Sequence, residues 1–306
     1  MIEITHVSKT FNKGTINEKR ALDDLNLKLN EGDFVTIIGG NGAGKSTMLN
    51  AIAGTYPVDC GTIVIDGVNV TLQPEHKRAR FIGRVFQDPM KGTCAGMQIE
   101  ENLALAKRRG MRRGMGWQLN DVERSMYREQ LSTLGLGLET RLSDKVGLLS
   151  GGQRQAVTLL MATLQKPKLL LLDEHTAALD PATAAKVLRL TREIVEGHHL
   201  TALMVTHNMK DALTIGNRLI MMDHGTIIYD VSGEEKKRLT VEDLLVKFEE
   251  ASGGAFPNDG MILSRKTGFP QPYSHMQTRP PGREHMISPA GRLVFILSAS
   301  RSARTG

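Results

Sequence analysis

The stretch FVTIIGGNGAGKST, Phe34–Thr47, constrains this chain more than any other. Phe34–Gly40 is a short continuous apolar run, the pattern of a strand buried on both faces, and Lys45–Ala53 has helical periodicity. Between strand and helix, Gly39, Gly40, Asn41, Gly42, Ala43, Gly44, Lys45, Ser46 and Thr47 fit G-x-x-x-x-G-K-[ST]. The glycines let backbone N–H groups at a helix start turn toward phosphate oxygens. Lys45 reaches the β- and γ-phosphates, and the Ser46 hydroxyl is a hard oxygen ligand suited to Mg²⁺. A turn of this kind sits at the carboxyl end of a strand in an open α/β sheet.

Two further apolar runs, Leu169–Glu174 (LLLLDE) and Thr201–His207 (TALMVTH), read as strands of the same sheet. Helical patterns at Gly151–Leu164 and Ala182–Glu196 lie before and between them, the alternation of a parallel sheet with helices on its faces. The earlier segments IEITHV, NLKLNEGD and GTIVIDG alternate polar with apolar residues and carry turn signals, so a small antiparallel sheet is expected beside the main one. From Met97 to Leu142 the strand pattern gives way to charged helical sequence. The expected fold is α/β: a P-loop core with a mainly parallel sheet, a flanking antiparallel β subdomain, and an α-helical subdomain inserted at about residues 97–145. Residues 1–250 form this domain. Residues 251–306, rich in Pro, Gly and polar residues, are expected to be a disordered tail, and non-native beyond about residue 264; within it only LVFIL, Leu293–Leu297, has strand character.

Chemistry concentrates at the ends of the apolar runs. Asp173 closes LLLLD at a carboxyl strand end and suits Mg²⁺, and Glu174 beside it can orient and deprotonate a water. Gln87 and His207 also follow strand-like runs, RFIGRVFQ and TALMVTH, and are expected at the same sheet edge.

The net charge of +6 invites a nucleic-acid reading, but residues 251–306 hold seven Arg and Lys against two acids. The remainder is close to neutral, which excludes a basic binding face and with it nucleic acid as partner. Cys60 and Cys94 lack metal-like spacing and suit a reducing compartment. The opening MIEITHVSKTF has no apolar signal region, and no run approaches the roughly 18 apolar residues of a membrane span.

A second glycine-rich helix start, LLSGGQRQ, lacks a lysine. Ser150 and Gln153 have capping-box spacing, which explains a helix start but not the pair Gly151–Gly152. LSGGQ (Leu149–Gln153) is the signature of the ABC ATPases, and this chain resembles the nucleotide-binding subunit of an ABC transporter. The P-loop (Gly39–Thr47), Q-loop (Gln87), signature, Walker B run (Leu169–Glu174), D-loop (Ala178–Asp180) and H-loop (His207) stand in the family's order over about residues 1–250.

The resemblance implies an ATPase using ATP and Mg²⁺, with Glu174, His207 and Lys45 catalytic and Ser46, Gln87 and Asp173 at the metal. It implies a head-to-tail dimer with a second copy, in which Ser150, Gly151, Gly152, Gln153 and Asp180 act in trans on the partner's nucleotide. Phe11 stands where the family places an aromatic on adenine. His175 replaces a proline found in many relatives, a change expected to touch only loop stiffness. The basic run Lys107–Trp117 reads as a solvated loop, or as a contact to lipid headgroups or permease.

The family's partners are a separate integral membrane permease and, through it, an extracytoplasmic substrate-binding protein; the chain then sits peripherally on the cytoplasmic membrane face. In its run of sequence it looks most like uptake systems that are uncharacterised or of the aromatic amino-acid, tryptophan-type kind. A soluble ABC ATPase acting on a macromolecule and the ATPase of an export or lipoprotein-release complex are the rival readings. DNA-repair members are excluded, because Lys45 and Asp173 are only 128 residues apart and no sustained heptads lie between them.

Overall fold

In a computed structural model, residues 1–111 and 119–251 are described. The chain runs β1 (Ile2–Phe11), β2 (Lys19–Leu29), β3 (Phe34–Gly39), α1 (Lys45–Ala53), β4 (Cys60–Ile65), β5 (Val68–Asn69), α2 (Glu75–Arg78), β6 (Ile82–Val85), α3 (Ile99–Lys107) and α4 (Asp121–Ser132). It continues with α5 (Gly151–Thr163), β7 (Leu169–Asp173), α6 (Pro181–Gly197), β8 (Ala202–Val205), α7 (Met209–Thr214), β9 (Arg218–Asp223), β10 (Thr226–Ser232), α8 (Gly233–Arg238) and α9 (Val241–Ala251).

Six strands form the main sheet in the order β10-β9-β3-β8-β7-β6. All its pairings are parallel except β9 with β10. The apolar runs are continuous because both faces are covered. Leu169, Leu171, Leu203 and Val205 face a core shared with α1 and the second sheet, while Leu170, Leu172, Ala202 and Met204 face one that includes Leu159 and Val195. These side chains alternate with the period of two that a strand imposes.

The second sheet, β2-β1-β4-β5, is antiparallel. Its alternating pattern places Ile2, Ile4, Leu27, Leu29, Ile63 and Ile65 on the common core.

Between β6 and β7 the chain is helical. Ile99 and Leu103 of α3, Tyr127 and Leu131 of α4, and Val157 of α5 share a separate core with Leu138, Val146 and Leu149. Gln98 and Glu101 make the capping box that starts α3. Helix α5 belongs to both regions, turning Leu159 toward the sheet and Val157 toward the helices.

Helix α1 occupies the expected residues, and α5 and α6 differ from expectation by one residue at their ends. The hairpin β9–β10 and the helices α7 to α9 were not resolved by periodicity. Residues 252–306 lie outside the described residues, as do 112–118 of the basic run. In the described part of that run Arg108 pairs with Glu123 at 3.0 Å and Arg109 donates to the carbonyl of Ala162 at 3.3 Å, while Gly110 and Met111 are exposed. Among the described residues no helix is long and apolar enough to cross a membrane.

Candidate nucleotide-binding site

The glycine-rich turn leaves β3 in the middle of the main sheet and enters α1. Gly44 has φ +99°, and a Cβ there would stand 2.5 Å from the carbonyl oxygen of Ala21, so no side chain fits beneath β2. The loop is also tied to the β9–β10 turn, where Gly225 N donates to the Ala43 carbonyl at 3.0 Å. Lys45 is buried, and its ammonium donates to the carbonyls of Gly39 and Gly40 at 2.8 and 2.9 Å, curling back over the loop. Burial pushes its pKa down, with Glu174 and then Asp173 opposing that shift.

Three strand ends converge there. Asp173 ends β7, and the exposed Ser46 donates from Oγ to its Oδ1 at 3.5 Å. Burial raises the Asp173 carboxyl, opposed by the Arg84 guanidinium 3.8 Å away. Glu174 follows with φ +43°, a left-handed backbone that a side-chain-bearing residue adopts only when its surroundings impose it. Its N–H is fixed to Val205 O at 3.1 Å and its carbonyl to Ala177 N at 2.9 Å. His207, just past β8, brings Nδ1 to 3.7 Å from Glu174 Oε2. The pair acts on both members: His207 pulls the Glu174 pKa down, and Glu174 pulls that of His207 up.

Gln87 follows β6 and lines one cleft with Asp173, Arg84, Tyr56 and Asn50. Phe11, at the end of β1, is partly exposed rather than in the core. Its ring meets Tyr56 edge-on at 5.3 Å, and Lys9 stands 5.6 Å over it. Ser46 and Asp173 offer oxygens side by side, and Gln87 in the cleft with Asp173 has an amide oxygen to add, a set that fits a hard cation such as Mg²⁺.

The signature is elsewhere. Ser150 caps α5, its Oγ accepting from Gln153 N at 3.3 Å while Gln153 Oε1 accepts from Ser150 N at 3.2 Å. Gly152 lies so close to α6 that a Cβ would come within 2.1 Å of Thr183. Asp180 caps α6 by accepting from Thr183 N at 3.1 Å. Signature and D-loop therefore form one packed corner. Among the described residues, no hydrogen bond or ion pair joins Ser150, Gly151, Gly152, Gln153 or Asp180 to the P-loop.

Two supporting residues, Arg84 and Phe248, escaped the sequence reading, and the contact made by a third, His175, was not foreseen. Arg84 bridges Asp173 to Asn50 Oδ1 (2.7 Å) and stacks 4.5 Å from Phe86. Phe248 of α9 comes within 3.8 Å of where a Cβ on Gly40 would be, and packs among Ile38 and Met209. His175 is 2% exposed, with Nε2 3.0 Å from Thr191 Oγ1. The Thr191 hydroxyl spends its proton on the Val187 carbonyl, so His175 Nε2 is the donor. The expectation that His175 affects only stiffness is thus too weak: it bolts the loop after Glu174 to α6. Only its position after LLLLDE pointed to it.

A family profile described as "ABC transporter" matches residues 22–177. The chain is 44% identical over 255 residues to the tyrosine transport ATP-binding protein of Clostridioides difficile, covering 82% of this chain and 100% of that one. It is 33% identical over 235 residues to the spermidine/putrescine import ATP-binding protein of Haemophilus influenzae, covering 77% of this chain and 59% of that one. Among solved structures it resembles a dimeric ATP-binding cassette in a post-hydrolysis state bound to ADP and Pi. That likeness has a TM-score of 0.66 and 30% identity, and covers 78% of this chain and 100% of that one. With its sheet order, its P-loop and these likenesses in agreement, the chain belongs to the ABC transporter family, as an ATP-hydrolysing subunit of the import type.

Proposed function

We propose that this subunit drives uptake of an aromatic amino acid through a separate integral membrane permease, which it meets from the cytoplasmic face through the helical region at about residues 97–145. The cargo class is supported by the tyrosine transport relative, whose whole length the chain matches. The catalytic reading rests on one observation: Lys45, Ser46, Asp173, Glu174 and His207 meet at the carboxyl ends of three adjacent parallel strands, β3, β7 and β8.

Lys45 binds the β- and γ-phosphates, and Phe11 takes the adenine. Ser46, Asp173 and Gln87 would hold Mg²⁺, which when bound would supply neutralisation of phosphate charge. Glu174, kept ionised by His207, orients a water and accepts its proton as the water oxygen bonds to the γ-phosphorus. The bond to the bridging oxygen breaks, and ADP and phosphate leave. His207 holds the γ-phosphate from the other side, so positioning and charge carry most of the rate.

Because the signature stands apart from its own P-loop, Ser150, Gly151, Gly152, Gln153 and Asp180 complete the site of a second copy in a head-to-tail dimer. The dimeric cassette among the relatives supports this arrangement. A substrate-binding protein on the far side of the permease delivers the cargo.

The test is uptake into vesicles holding the permease, the binding protein and this subunit. ATP-dependent accumulation of labelled tyrosine, tryptophan or phenylalanine, but not of arginine, is expected. Equal uptake with the Glu174→Gln subunit would overturn the reading.

A further inference from the structure

Lys19 opens β2 directly across from Phe11 in the register of the antiparallel sheet. Its Nζ lies 3.2 Å from the point where a Cβ on Gly42 would stand, so the ammonium rests against the P-loop. Its neighbours already have partners. Lys9 takes Asp59 at 3.2 Å, Arg20 takes Asp23 at 2.5 Å, and Glu18 Oε2 accepts from Gly14 N at 2.6 Å. Across the site, Asp173 and Glu174 are engaged by Arg84 and His207. Among the described residues Lys19 has no ion pair and no hydrogen bond from its side chain.

An exposed ammonium held against a phosphate-binding loop, without an acid of its own, sits where an anionic ligand would compensate it. We infer that Lys19 is a second cation for the phosphate chain of the nucleotide, acting from the β2 side while Lys45 acts from within the loop. The inference rests on the P-loop being the ATP site. It adds a determinant that the loop motif lacks. Phe11 and Lys19 are cross-strand partners, so one pair of strands offers an aromatic to the base and a charge to the phosphates. Lysine suits the second role as a compact point charge on a flexible stem. The ligand class is a nucleoside di- or triphosphate.

The experiment is calorimetric titration of the full chain with MgATP and MgADP, alongside steady-state ATPase kinetics, for wild type, Lys19→Met, Lys19→Arg and Lys45→Ala. Lys19 is on the surface, so its variants keep the fold. We expect Lys19→Met to weaken both nucleotides about five-fold, the scale of one exposed charge contact. KM rises to match, while kcat at saturating MgATP stays within about two-fold of wild type, because no transition-state contact is lost. The difference shrinks on raising salt from about 0.05 to 0.5 M as the charges are screened. Lys19→Arg recovers most of the affinity. Identical Kd values for wild type and Lys19→Met, or equal losses for Met and Arg, would overturn the role of the charge. Failure of wild type to bind MgATP, or undiminished binding by Lys45→Ala, would instead overturn the P-loop assignment on which it rests.

Discussion

Glu174 Oε2 and His207 Nδ1 lie 3.7 Å apart at the ends of neighbouring parallel strands, and Glu174 holds a left-handed backbone at φ +43°. Neither feature depends on the other in sequence, since 33 residues separate the two. The sheet brings them together by pairing Asp173 with Val205.

Replacing Glu174 with Gln removes the proton acceptor but leaves Lys45, Ser46 and Asp173 in place. Hydrolysis should fall at least about 100-fold, the usual scale for losing a general base, with nucleotide binding preserved. Size-exclusion chromatography with MgATP should then show a stable dimer. A variant that hydrolyses at the wild-type rate would remove Glu174 from its role.

The corner formed by Gly152 and Thr183 leads to a test of action in trans. Ser150→Arg should abolish hydrolysis while the chain's own P-loop still binds MgATP. Cysteines placed near Ser150 and near Lys45 should crosslink between chains, and more so with ATP. Crosslinks confined within chains would contradict the head-to-tail dimer.

His175 donates to Thr191 from a fully buried position, and burial pushes its pKa down to about 4, so it is neutral at working pH. His175→Ala should cost about 2–3 kcal/mol through the cavity and the lost bond. Thr191→Val should cost about 1 kcal/mol. Both should lower kcat more than they raise KM, because the loop carrying Glu174 loses its anchor. Thermal melts together with ATPase kinetics test this; a loss of stability with kcat untouched would make the bond structural only.

Lys236 of α8 is 2% exposed and donates to the carbonyls of Ile215 and Gly216, and to Thr36 Oγ1 at 3.5 Å. Burial pushes its pKa from 10.5 down to about 8. Between those values the unfolded chain binds more protons than the folded one, so this group makes stability rise with pH across that window. The full difference corresponds to about 3 kcal/mol. Denaturation of wild type and Lys236→Met at pH 7, 8.5 and 9.5 should show the wild type gaining on the variant as pH rises. Parallel curves would contradict it.

What the sequence displayed was whatever is written locally. Phe34–Ala53 reads as strand, turn and helix because its apolar period changes on either side of a glycine cluster, and α1 covers the residues expected. Asp173, Glu174, Gln87 and His207 were legible because each ends an apolar run. Arg84 and Phe248 were not, nor was the contact that His175 makes. Each acts through a partner far along the chain, Asp173, the P-loop and Thr191 respectively, and no spacing announces such a contact. The β9–β10 hairpin was also missed, because RLIMMDHGTIIYDVS lacks the clean alternation of a half-buried pair. Its first strand is buried on both faces, as Leu219 and Met221 face one core and Ile220 and Met222 the other.

The seating of the P-loop has a consequence for motion. Gly44 lies under the Ala21 carbonyl of one sheet, the Ala43 carbonyl accepts from Gly225, and Gly225 O accepts from Asp23 N at 3.1 Å. A single turn therefore rivets the two sheets, and any opening of the seam between them must first unseat it. A nucleotide that tightens this turn raises the free energy of that opening. Amide hydrogens of β2 around Asp23 should then exchange with solvent deuterium more slowly when nucleotide is bound.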